Sequence, residues 1–177
     1  VTSLGLAECL ESLAGALKSC EPALLPRSLS AAKRALENGD PVCAYSWLRL
    51  GLETAAQYAY YSLQGIAWSE ALERIRRRSR AAASFTATMI KGLRGVHASR
   101  RRWILRVYLW LGDYLHPSAE MHAASGEPGL REELVREVLD TITYLCLFTR
   151  RELALQERLV AGCGLEKTGR LLARRGS

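Results

Sequence analysis

Asparagine occurs once in this chain, at Asn38, and lysine only at positions 18, 33, 91 and 167. No run of about 18 apolar residues exists, so no transmembrane span is expected. No charged, apolar and small-residue succession opens the chain, and no secretory leader is read there. No stretch alternates apolar and polar residues as a half-buried strand does, and no internal repeat or low-complexity block is present. The P-loop, GxGxxG and G-x-S-x-G motifs are missing, which removes the best-marked nucleotide-binding and hydrolase sites.

Five cysteines stand at 9, 20, 43, 146 and 163, none of them in a CxxC pair, which excludes the usual zinc modules. Most lie among apolar neighbours, where a reduced thiol behaves as a small hydrophobe. The expectation is a cytoplasmic, reducing compartment. A Cys9–Cys20 staple is left open, with nothing in its favour. His97, His116 and His122 lack helical ligand spacing, so no metal and no cofactor are expected.

What remains is helical and basic. Of 177 residues, 49% are apolar, enough for a core without staples. The net charge is +7, and arginine supplies 21 of the 25 basic residues. That bias fits genome composition, a hot habitat or phosphate recognition equally well. Leu6, Leu10, Leu13 and Leu17 form one helical stripe, with Ser3 as its cap. A second helix is expected from about Ser28 to Asn38-Gly39. Asp40-Pro41 is a strong helix start, opening a long helix to about Leu63. A helix capped by Ser69 runs into Arg74–Arg80, and continuation through Leu93 as one helix or two is open. Pro128 begins a last long helix persisting to about Val160. The prediction is an all-α fold, an antiparallel helical bundle of five to six principal helices. Residues 1–164 form its single domain, and 165–177 a loosely held basic C-terminal tail.

The stretch Arg100–Pro117 reads as the organising helix, covered by the others. Its aromatic and aliphatic residues fill an arc of roughly 160°. On the other side, Arg102, Arg106, Asp113 and His116 fall within roughly 80°, interrupted by Leu109. Asp113 and His116 are three residues apart and close enough to touch. The plain reading of His116 is a helix-terminal histidine near free carbonyls. The sharper one makes a site in which Asp113 orients the imidazole and arginines hold phosphate. Between Glu73 and Asp113 the chain carries eleven Lys or Arg and no acid. Such a run is either a solvated surface or a phosphate-binding face, with acidic lipid or protein as further partners. Arg76, Arg77, Arg78, Arg100, Arg101 and Arg102 are the candidate phosphate contacts.

Two pieces of the chain resemble the HEPN family of helical bundles. One is Glu37–Leu63, with Arg49 and Leu52-Glu53 on a long helix after a polar joint. The other is Gly112–Glu120, GDYLHPSAE, where a helix ends in His116 before a turn. The resemblance implies a homodimer acting as a metal-independent ribonuclease, or a helper of a partner such as a nucleotidyltransferase. That family's motif is Arg, four to six residues, then His. His116 matches the histidine, but Leu109, Trp110 and Leu111 occupy the arginine positions, and Arg106 lies roughly 15 Å from His116 along a helix. The expected function is therefore RNA or other polyanion binding, with His116, Asp113 and Arg106 as a rebuilt catalytic set. The alternatives are a non-catalytic module pairing with a protein through Trp103, Trp110 and the tyrosines, and an enzyme for a small phosphate metabolite.

Overall fold

A computed structural model describes residues 3–78, 85–115 and 130–175. These form α1 (Leu6–Ala16), a 3-10 turn (Leu17–Ser19), α2 (Leu24–Glu37), α3 (Pro41–Ser62), α4 (Trp68–Arg78) and α5 (Phe85–Lys91). They continue with α6 (Ala98–Asp113), α7 (Glu132–Thr149), α8 (Glu157–Gly162) and α9 (Glu166–Ala173). There is no strand among the described residues, and the fold is an all-α helical bundle.

The helix at the centre is α7. It packs against α1, α3, α6 and α9, and every residue from Val138 to Leu147 is buried. Polar residues survive there because Thr141 and Thr143 donate their hydroxyls to the carbonyls of Glu137 and Leu139, each at 2.7 Å. The expected organising helix, α6, instead lies to one side. It buries Trp103, Ile104, Val107, Tyr108 and Leu111, but leaves Leu109 55% exposed beside exposed Arg102, Arg106 and Asp113.

Local chemistry sets several boundaries. The Asp40 carboxylate accepts from Cys43 N at 2.9 Å and starts α3, as its sequence predicts. Gly65, at φ +75°, ends the turn that follows α3. His97 takes the cap of α6, its Nδ1 accepting from Ser99 N at 3.3 Å. Other boundaries differ from expectation. Gly5, not Ser3, precedes α1. α2 begins at Leu24, with Pro26 inside its first turn, where a missing N–H leaves no bond unmade. Ser28 is buried within that helix, and its hydroxyl bonds Leu25 O. The last long helix stops at Thr149. Arg175 donates to Leu147 O in its last turn and to Arg151 O just beyond it. The question of one helix or two between α4 and α5 falls on residues 79–84, outside the described residues.

Two further expectations change. Residues 166–173 are not a loose tail but α9, docked on α7 through Asp140. The cysteines are not all reduced, nor is Cys9 joined to Cys20: Cys9 is bonded to Cys163, with Cα atoms 5.7 Å apart. Sequence spacing could not favour this pair, because α1 meets the α8–α9 joint only after the chain has gone round the bundle.

α2 and α3 pack tightly at Gly51. A Cβ there would lie 2.6 Å from Ser28 Oγ and 3.3 Å from Ile142 Cδ1. Gly51→Ala is expected to cost about 2 kcal/mol in urea denaturation. Adding Ser28→Ala should recover most of it, because Ser28 Cβ stands off at 3.6 Å. If Gly51→Ala matched the parent in stability, the helix contact would not be tight there.

Candidate functional site

Charged side chains gather at three places around α6 and α7. The first is the groove between them, about 730 Å³, lined by Arg102, Leu105, Arg106, Leu109, Trp110, Asp113, Glu133 and Glu137. It brings together Arg106 and Asp113 of the expected catalytic set. His116, like His122, lies outside the described residues. The groove is of mixed sign, because the two glutamates of α7 face the two arginines of α6. Burial pushes the Glu137 carboxyl up, but hydrogen bonds from Lys167 and Trp103 outweigh it and hold it below the ordinary carboxylate range, with Arg106 adding to the effect. Those bonds are short, 2.6 Å from Lys167 Nζ and 2.7 Å from Trp103 Nε1.

The second is a half-buried cluster between α3 and the end of α6. Arg49 Nε donates to Glu53 Oε1 at 3.1 Å, and Arg49 Nη2 to the Tyr108 hydroxyl at 2.9 Å. The hydroxyl in turn donates to Glu53 Oε1 at 3.2 Å. Gly112 makes room for the guanidinium, since a Cβ there would sit 3.0 Å from Arg49 Nη1. Beside it, the Arg131 guanidinium lies 5.7 Å from the Tyr114 ring, which packs on Tyr45. Arg49 and Arg131 are therefore the arginines that other segments bring to the end of α6. Sequence reasoning singled out Arg49 and Glu53 for their resemblance, but not their closure on Tyr108.

The third is a cleft of about 1110 Å³ where the α5–α6 joint, the end of α7 and the end of α9 meet. Arg94, Arg151, Arg174 and Arg175 line it with one acid, Glu152. Phe148 forms part of the wall, stacked on Tyr144 with ring centroids 5.9 Å apart. Gly95, at φ +73°, carries the joint past that ring, and a Cβ there would lie 3.9 Å from it. Arg175 is occupied by the carbonyls that end α7, and burial pulls its pKa down. Arg94 and Arg151 are exposed and make no ion pair among the described residues. Sequence reasoning missed this cleft, because its four arginines come from three separate segments.

The expected phosphate contacts divide differently. Arg74 pairs with Glu70 at 2.6 Å, and Arg76 and Arg77 with Glu73 at 3.6 and 3.2 Å. The acids that compensate the basic run are thus those of the preceding helical turn. Arg78 ends α4, and nothing is described of its side chain. The triplet on α6 diverges: Arg100 acts on Tyr144, Arg101 donates to Leu93 O at 3.4 Å, and Arg102 enters the mixed groove.

Trp103, Tyr58, Tyr61 and Tyr108 are buried in the fold, while Leu105, Leu109 and Trp110 are the apolar side chains that α6 turns to the groove surface. No group of His, Cys, Asp and Glu suited to hold a metal is found among the described residues, and no helix there is long and apolar enough to cross a membrane. The described residues define an all-α helical bundle with an arginine-lined cleft. No family model, no curated protein and no solved structure matches the chain.

Proposed function

We propose that this chain binds RNA, or a polyanion like it, through the arginine cleft at the end of α7. The observation that carries the reading is the composition of that cleft: four arginines against one acid, with an aromatic wall, in a chain of net charge +7. Guanidinium forks match phosphate oxygens, and an aromatic face accepts a stacked base. Arg94 and Arg151 carry the phosphate contacts. Arg175 shapes the cleft, since its donors are already engaged with main-chain carbonyls. Binding of this kind is salt-sensitive and weakly sequence-specific.

The test is binding of end-labelled structured RNA across a salt series. At about 0.1 M salt, Arg94→Ala/Arg151→Ala is expected to weaken binding at least about tenfold and to flatten the salt dependence by about two phosphate contacts. Equal binding by this variant and the parent would remove the cleft from the reading. Loss in an Arg100/Arg101/Arg102 triple-alanine variant instead would move the contact to α6. Absence of any binding would overturn RNA recognition and favour a protein partner at Leu109 and Trp110. The same gels read cleavage. A cleaving parent and a silent His116→Ala variant would assign the acid–base role to His116.

A further inference from the structure

With Cys9 and Cys163 bonded, three thiols remain: Cys20, Cys43 and Cys146. Two of them are together. Cys20 follows the 3-10 turn and Cys146 lies on α7. They are 4% and 1% exposed, and each thiol acts on the other. Arg150, one helical turn beyond Cys146, donates to Ser19 O, and its charge acts on Cys20. The existing bridge has the same plan. Cys9 comes from the N-terminal segment, its partner from the C-terminal half, and Arg136 of α7 places Nη1 3.9 Å from Cys9 Sγ. Each pair therefore sets an α7 arginine beside its N-terminal cysteine.

We propose that Cys20 and Cys146 close a second disulfide, leaving Cys43 as the lone free thiol of the oxidised chain. The inference does not rest on the polyanion reading. The neighbouring Cys146 side chain holds the Cys20 thiol below its ordinary value, against burial, and Arg150 adds to that effect. The Cys20 side chain, together with burial, pushes the Cys146 thiol well up. Cys20, at the end of the short Leu17–Ser19 turn, is the attacking sulfur, and Cys146, fixed on the central helix, the resolving one. With the Leu17–Ser19 turn open, the Cys20 thiolate attacks one sulfur of a small disulfide such as oxidised glutathione. That S–S bond breaks and one thiolate leaves. Cys146 then loses its proton to solvent and attacks Cys20 Sγ, displacing the second thiolate. Two protein thiols are oxidised and one small disulfide is reduced to two thiols. The bridge would fasten the N-terminal turn to α7 just before Phe148 and Arg151.

The full-length parent chain is equilibrated in a series of reduced and oxidised glutathione, quenched in acid, alkylated in denaturant, and mapped by mass spectrometry. At the oxidised end, Cys43 alone should be alkylated, and a Cys20–Cys146 linked peptide should appear beside the Cys9–Cys163 one. Alkylation of Cys20 and Cys146 at that end would overturn the proposal. So would either cysteine trapped with glutathione, because the resolving step would then have failed. A Cys43→Ser chain should show no alkylatable thiol, while a linked peptide containing Cys43 in the parent would contradict the assigned pairing.

Discussion

Removing the Cys9–Cys163 bridge is expected to lower the unfolding free energy by about 5 kcal/mol, near the upper end of what one disulfide contributes. The size follows from the chain it closes. The two cysteines are separated by 154 residues, almost the whole sequence, so the cross-link removes a large loop-closure entropy from the unfolded ensemble. The folded state around the bridge is well supported. Both cysteines are fully buried, and the Arg136 guanidinium next to them donates to Cys163 O at 2.9 Å and Leu4 O at 2.8 Å. Leu4 N donates in turn to Gly162 O at 2.9 Å. A Cys9→Ala/Cys163→Ala chain should therefore keep its fold while losing stability. Urea denaturation of this variant and the parent, both without reductant, measures the difference, and leaves any Cys20–Cys146 bridge common to the two. A loss below about 1 kcal/mol would mean that the unfolded chain is already held compact by other means.

The parts legible in the sequence were those decided within one or two helical turns. Asp40-Pro41 fixed the start of α3 because cap and proline act on adjacent residues. The apolar stripe of α1 and the aromatic arc of α6 were readable because burial follows a period of 3.6 residues. What was not legible depended on distant partners. Nothing in Thr149–Glu152 marks a helix end; α7 stops where Arg175 takes Leu147 O and Arg151 O and Arg150 reaches Ser19. The centrality of α7 was hidden by its threonines and Asp140, which look like surface residues until their internal bonds are seen. The site divides in the same way. The turn from Arg102 through Arg106 to Asp113 was readable as one side of a helix. The cleft of Arg94, Arg151, Arg174 and Arg175 and the closure of Arg49 on Tyr108 were not, because each joins residues far apart in the chain.

Asp140→Ala is expected to cost about 4 kcal/mol, because it strips one buried carboxylate from three donors at once. Asp140 Oδ2 accepts from Lys167 N at 2.9 Å, and Oδ1 from Thr168 N at 2.9 Å and Thr168 Oγ1 at 2.7 Å. α9 has no cap of its own: Leu165 precedes it, and its side chain makes no capping bond. A carboxylate on α7 thus caps α9 from outside, and this is why residues after 165 are held. Asp140→Asn keeps the shape and one acceptor, but turns an NH₂ toward a donor, so a loss of about half that size is expected. The pH dependence separates charge from shape. Burial pushes the Asp140 carboxyl above its ordinary value, while the hydrogen bonds from Lys167 and Thr168 pull it back. The folded chain then holds that proton more tightly than the unfolded one. The parent's stability relative to Asp140→Asn should accordingly be greatest in acid and decline as the pH rises through the carboxylate range. Urea denaturation across that range gives both numbers, and hydrogen exchange at the Lys167 and Thr168 amides locates the loss. If these amides stayed protected in Asp140→Ala, α9 would be held by apolar packing alone, and Asp140 would be a cost that the fold tolerates rather than the cap that retains its last helix.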